Sequence, residues 1–136
     1  MTVWDLKEND VLAEVFTLGP ISRTDSVRYQ GASGDFQPIH HDEPFAKSAG
    51  YEAPLVIGMY PAGVASLWAA QQFGVDCVRE TRIRWSGRVW PGDVLTGTAS
   101  IDGVDGSTRW LKMVLSNNQD ELVLTLRMRF VRDGSN

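Results

Sequence analysis

A carboxylate and an imidazole stand five positions apart, at Asp35 and His40, within Gly34 to Asp42, GDFQPIHHD. Pro38 fixes its own φ and pushes Gln37 out of the α region, so residues 36–39 are expected to run as extended or turn backbone. A rigid loop of this kind can aim both side chains at one point. Such a pair can hold a water molecule, one group removing a proton while the other delivers one. The same residues have a plainer use. An Asp before a Pro in a loop often caps backbone amides, with a nearby His half exposed. Which use applies depends on the elements that hold the loop.

Three of those elements are legible around it. Ser22 stands three residues before Asp25, the spacing of a capping box, which predicts a short helix from about Arg23 to Ala32 stopped by Gly31 and Gly34. Asp42 reads as the N-cap of a second short helix, with Pro44 in its first turn and Gly50 beyond its end. From Ile57 to Phe73 the text IGMYPAGVASLWAAQQF carries no charge, and its apolar side chains surround the axis. That is the pattern of a buried helix, with its first turn near Met59 because of Pro61 and its end at Gly74.

The remainder reads as strand. Val11 to Thr17 is a first strand, and Val78 to Val89, Val94 to Ile101, Thr108 to Leu115 and Leu122 to Val131 follow the helix. Pro91 to Asp93 and Asp102 to Ser107 are the turns between them. The last strand alternates most clearly, with Leu122, Leu124, Leu126, Met128 and Phe130 on one face and Thr125, Arg127 and Arg129 on the other. A buried helix followed by four strands in meander order, with another strand ahead, implies an α+β fold: an antiparallel sheet wrapped around a central helix. Such a sheet leaves edges and apolar surface uncovered, so a second subunit is expected.

Composition sets the outer bounds. The 136 residues are expected to form one domain, 1–136, large enough to bury about two thirds of the unfolded surface. A hydrophobic fraction of 43% with five Trp residues argues against disorder, and no uninterrupted apolar run reaches the roughly 18 residues that span a bilayer. The opening MTVWDLKEND is too polar for a signal peptide, and the lone Cys77 cannot form an intrachain disulfide, which together favour a reducing cytoplasm. His40, His41 and the distant Cys77 form no metal-ligand pattern. A net charge of −4 disfavours a general nucleic-acid binder but not a local basic patch for an anionic ligand.

GDFQPIHHD, then VIGM before the buried helix, then WPGDVLTGTA resemble the MaoC-like hydratases, including the (R)-specific enoyl-CoA hydratases of the hot-dog fold. The resemblance covers nearly the whole chain in order. The family loop usually reads Asp, any residue, Asn, Pro, any residue, His, and only the Asn differs here, as Gln37. The second family motif, His-Gly-Met, stands as Ile57-Gly58-Met59. The resemblance implies a hydro-lyase that reversibly adds water, syn, across a 2-enoyl thioester to give a 3-hydroxyacyl product. Its carrier would be coenzyme A or acyl-carrier protein, with no metal or redox cofactor. Carried over by position, Asp35 and His40 would hold the water, Gly58 would offer its N–H to the thioester oxygen, and Ser66 would help orient the site. Chemistry gives the same parts independently: the enolate formed by attack at C3 needs a fixed donor, and a glycine at the first turn of a helix supplies an unpaired amide. Either Asp35 or His40 can be the base. To serve as the acid Asp35 must be desolvated, and burial beside Phe36 is the expected source.

The remaining candidates each have two readings. Gln37 keeps an amide able to brace the loop, and Ile57 removes the family His while widening or drying the pocket for a bulky acyl group. Ser66 either serves the site or bonds back to the carbonyl four residues earlier. Arg82, Arg84 and Arg88 suit the phosphates of coenzyme A, or form a solvated strand face. His41 is a surface or loop-bracing residue, and Trp85, Trp90 and Trp110 belong to core or interface. Gln37, Ile57, Met59, Arg82 and Arg84 complete the expected substrate-binding set. A dimer or higher oligomer is expected, either of identical chains or with a related hot-dog subunit. The competing functions are a partner subunit with little activity alone, and an acyl thioesterase.

Overall fold

Strong alternation in LVLTLRMRFV produces the best-buried strand of the chain. The computed structural model describes residues 1–134, and its strands and α-helices are β1 (Phe16–Leu18), α1 (Arg23–Ser33), α2 (Glu43–Ser48), α3 (Met59–Phe73), β2 (Val78–Trp85), β3 (Leu95–Asp105), β4 (Thr108–Ser116) and β5 (Leu122–Val131), with a short 3-10 turn at Pro38–His40. Leu124, Leu126, Met128 and Phe130 of β5 are buried, as the alternation requires. Leu122 departs from it and is exposed, while Val123 is buried in its place. A register shift between Leu115 and Ser116 of the paired β4 accounts for the change.

The five strands form one antiparallel sheet in the order β1-β3-β4-β5-β2. Only β3, β4 and β5 are a meander. β2 joins the far edge of β5, which corrects the expectation of four strands in meander order. A hairpin would need a short loop of about two to five residues. Residues 86–94 instead cross the fold, where Val89 accepts from the Val56 N–H and Asp93 from the Ile21 N–H. Val89 is buried, so this crossing is part of the core. The strand expected to reach Val89 accordingly ends at Trp85, where the Ser86 and Gly87 N–H groups both turn onto the Val123 carbonyl. The first strand is likewise shorter than expected. Residues 9–12 run beside β3, with one bridge from Val11 to Ser100, before the chain bends and pairs again at Phe16.

Helix α3 lies against the concave face of the sheet through Pro61, Ala62, Ala65, Ala69, Ala70 and Phe73, all buried. Phe73 stacks on Phe130 with ring centroids 4.3 Å apart, and Trp4 meets Phe73 edge-on. The helix is not enclosed all round. Met59 is 44% exposed and Leu67 54%, because one five-stranded sheet covers only one side of a helix. Trp85 and Trp110 are also exposed, whereas Trp4 and Trp68 pack on the core. No helix among the described residues is long and apolar enough to cross a membrane.

Both expected caps form. Ser22 accepts from the Asp25 N–H while the Asp25 carboxylate accepts from the Ser22 N–H, and Gly34 closes α1 in the left-handed region with φ 76°. Gly31 does not stop the helix, which continues through it to Ser33. The backbone and side-chain hydrogen bonds from Ser22 hold the Asp25 carboxyl below its ordinary 3.8. Stability from this cap is therefore present above that value and is lost as pH falls through the lower folded value. Removing the aromatic stack is expected to cost far more: Phe130→Ala should destabilise the fold by about 3–5 kcal/mol in urea denaturation, with the midpoint falling accordingly.

Candidate active site

The loop at 34–42 is held from two sides. From the helix side, the Leu55 N–H donates to the Ile39 carbonyl at 3.0 Å, and Nδ1 of His40 lies 2.8 Å from the Leu55 carbonyl. A carbonyl oxygen can only accept, so Nδ1 carries the hydrogen and the neutral ring keeps Nε2 free to accept a proton. Gly58 follows Leu55 by three residues, a span of at most about 11 Å of chain, so the imidazole and the start of α3 belong to one neighbourhood. Among the described residues no acceptor takes the Gly58 N–H. It stands at the positive end of α3, the arrangement that stabilises an anionic oxygen.

From the other side the loop is held by α1, through a residue the sequence reading did not select. Gln30 is 2% exposed, and its Nε2 donates to the carbonyls of Asp35 at 3.0 Å and Gln37 at 3.2 Å. Its Oε1 lies 3.2 Å from Nδ1 of His41. One turn earlier on α1, the hydroxyl of Ser26, 1% exposed, accepts from the Ile57 N–H at 3.4 Å. The available signal was the i, i+4 spacing of Ser26 and Gln30 on a capped helix just before the loop. Residues 23–33 have no apolar stripe, so nothing in the pattern showed which face is buried.

Asp35 is exposed, and its Oδ1 accepts from the Gln37 N–H at 3.2 Å. This is the local amide-capping role anticipated for a loop Asp. No hydrogen bond joins Asp35 to His40 among the described residues. Phe36 is 64% exposed, so it does not bury the carboxyl as expected. Gln37 makes no capping bond with its own side chain. The amide that braces the loop is that of Gln30, acting through the Gln37 carbonyl.

The other expected residues separate into two groups. Ile57 is buried, Met59 is exposed, and Ser66 donates to the Ala62 carbonyl at 2.7 Å, which is the helix back-bonding alternative. Trp85 belongs with this group: its indole N–H donates to the Gly58 carbonyl at 3.1 Å, giving the exposed ring a role at the head of α3. Arg82 and Arg84 lie elsewhere. They alternate with Ile83 and Trp85 along β2 and project from the outer face of the sheet, lining a hollow of about 380 Å³ with Lys112, Thr125 and Arg127. Arg82 there pairs with Glu80. Arg88 lies over the ring of Tyr51. In the first turn of α3, burial pushes the Tyr60 phenol above its ordinary 10.0, with the Asp25 charge adding to it, so the group stays a neutral donor near neutral pH.

An antiparallel sheet curled over one helix, with the Asp-Phe-Gln-Pro-Ile-His loop beside the helix head, is the hot-dog architecture. Residues 14–122 match the MaoC like domain, and the chain belongs to that family. It is similar to the peroxisomal multifunctional enzyme type 2 of Mus musculus, 35% identical over 66 residues that cover 46% of this chain and 9% of that protein. It spans between 7% and 26% of the length of the curated relatives it matches. Its fold is similar to that of a chain in the crystal structure of the ChsH1-ChsH2 complex from Mycobacterium tuberculosis, with TM-score 0.82, 20% identity and coverage of 93% of this chain and 98% of that one. It is also similar to the (R)-hydratase from A. caviae involved in PHA biosynthesis, with TM-score 0.81, 18% identity and coverage of 95% and 98%.

Gly58 adopts φ −61° and ψ −30°, which any residue can adopt, so its small size matters for contact rather than conformation. A Cβ there would lie 2.9 Å from the Trp85 indole nitrogen. Gly58→Ala is expected to displace the indole and destabilise the fold by about 1–3 kcal/mol. The check is denaturant midpoint together with tryptophan fluorescence.

Proposed function

We propose that this chain is a hydratase/dehydratase that interconverts a 2-enoyl thioester and its 3-hydroxyacyl form. The observation that carries the reading is the fixed tautomer of His40. Its Nδ1–H is committed to the Leu55 carbonyl, which leaves Nε2 as a base in the loop where a MaoC-like chain carries its Asp and His. Gly58 supports the same reading with a free N–H at the head of α3. The names of its relatives, one a peroxisomal hydratase-dehydrogenase-epimerase of Neurospora crassa, point in the same direction.

In this reading the thioester oxygen accepts from the Gly58 N–H, and a water bound between His40 and Asp35 attacks C3. As the oxygen bonds to C3, Nε2 of His40 takes a water proton, and the electron pair of the double bond moves onto the thioester as an enolate. Return of one proton from the Asp/His pair to C2, on the same face, completes a syn addition with atoms and charge balanced. The reaction is redox-neutral, so water is the only co-substrate it calls for. The rate gain would come from placing base, water and oxyanion donor around one substrate. An (R)-3-hydroxyacyl product is the expected stereochemistry.

A second reading, a subunit that works only with a related partner, is favoured by exposed apolar groups on α3 and at the end of β2. Met59, Leu67 and Trp85 are uncovered in the single chain, and one similar structure is a two-component complex. Incubating the purified chain with 2-enoyl-CoA esters and following loss of conjugated absorbance separates these readings. Turnover by the chain alone supports the first, and turnover only after addition of a second hot-dog chain supports the other. Release of free thiol would instead indicate a thioesterase. Asp35→Asn and His40→Ala should each lower hydration by about 100-fold or more. Wild-type turnover by either folded variant removes that residue from the mechanism.

A further inference from the structure

We infer that Gln30 is a positioning residue of the site, setting the geometry of the Asp35–His41 loop through its buried amide; this rests on the hydratase reading above. A primary amide offers two hydrogens and one oxygen, and each of these has a protein partner here. Both donors go to loop carbonyls, of Asp35 and Gln37, and the oxygen faces Nδ1 of His41. Because the two carbonyls can only accept, the NH2 side of the amide is assigned to them, and His41 must donate from Nδ1. Gln30 therefore touches the loop just before Pro38 and just after His40. A rotation of its side chain would leave the Asp35 carbonyl and a buried amide without partners, the Gln37 carbonyl keeping the His40 N–H, which is costly at 2% exposure of Gln30.

The same helix face reaches the other half of the site. Ser26, one turn before Gln30, takes the Ile57 N–H, so the peptide leading into Gly58 is oriented by α1 as well. α1 is also clipped to α2, which leaves the far end of the loop, by the Arg23–Glu43 pair at 3.3 Å. One short helix thus sets the separation between the acid/base loop and the head of α3. Neither Gln30 nor Ser26 needs to touch substrate to do this. Their effect is transmitted through the backbone carbonyls and amides they hold.

Gln30→Met keeps the length and volume of the side chain and removes all three hydrogen bonds. Gln30→Glu keeps the acceptor for His41 but replaces both donors with acceptors. In whichever variant folds, kcat should fall roughly 10–100-fold, since misplacement by about 1 Å has that scale of effect, while KM changes less than about three-fold. A residue that only stabilised the fold would lower the denaturation midpoint and leave kcat per folded molecule unchanged, and that result would overturn the inference. Hydrogen–deuterium exchange provides a readout that does not depend on turnover. Amides 35–42 should exchange at least about ten-fold faster in the variant, with β3–β5 unchanged. If the wild-type chain fails to hydrate any enoyl thioester, the hydratase reading fails while the exchange measurement still decides the role of Gln30. Loop exchange equal to wild type overturns the inference in either case.

Discussion

Residues 35–41 carry more polar backbone than they can satisfy among themselves, and the site exists because two neighbours meet that need. A backbone carbonyl or amide shielded from water must find a partner or lose about 1–3 kcal/mol. Here the Asp35 and Gln37 carbonyls are met by Gln30, and the Ile39 carbonyl by the Leu55 N–H. His40 completes the set by donating to Leu55. The bond that satisfies the backbone also selects the histidine tautomer. The same interaction thus holds the loop and decides which ring nitrogen of His40 faces the Leu55 carbonyl.

The head of α3 is shaped by a related constraint. The alanines on its inner side allow the helix to approach the sheet closely, and Phe73 anchors its far end on Phe130. At the near end Gly58 leaves room for the Trp85 indole to reach its carbonyl, while its N–H has no acceptor among the described residues. A residue with a side chain there would push the Trp85 indole away from the head of the helix. The outward side of the same helix keeps Met59 and Leu67 uncovered. One chain therefore encloses only half of its central helix, and the remaining apolar surface is the physical basis for expecting a second subunit.

Much of this was legible from residue order. Ser22 with Asp25, Asp42 with Pro44, and Gly74 after an uncharged run are local signals, because a cap is satisfied by atoms a few residues away. The alternation of β5 and the extents of β4 and α3 followed from the same short-range logic. Residue order misleads where a distant partner decides. Sequence neighbours usually pair, which predicts β2 beside β3, but the buried crossing at 86–94 carries the chain back over the fold. Strict alternation turns Leu122 inward, and a register shift against the partner strand overrides it.

The amino-acid sequence by itself determined the helix limits, the conformational limits on the loop around Pro38 and the presence of Asp35, His40 and Gly58, since each depends on chain geometry within a few residues. Tertiary structure alone decided which polar side chains turn inward. Gln30 and Ser26 are ordinary polar residues on a helix without an apolar stripe until the loop and the 55–57 segment pack against them. Arg82 and Arg84 were candidates for the site until the pairing of β2 with β5 turned them to the opposite face of the sheet. The reason is the same in both cases: a side chain's direction is set by its own backbone, but what lies in that direction is set by segments far away in the chain.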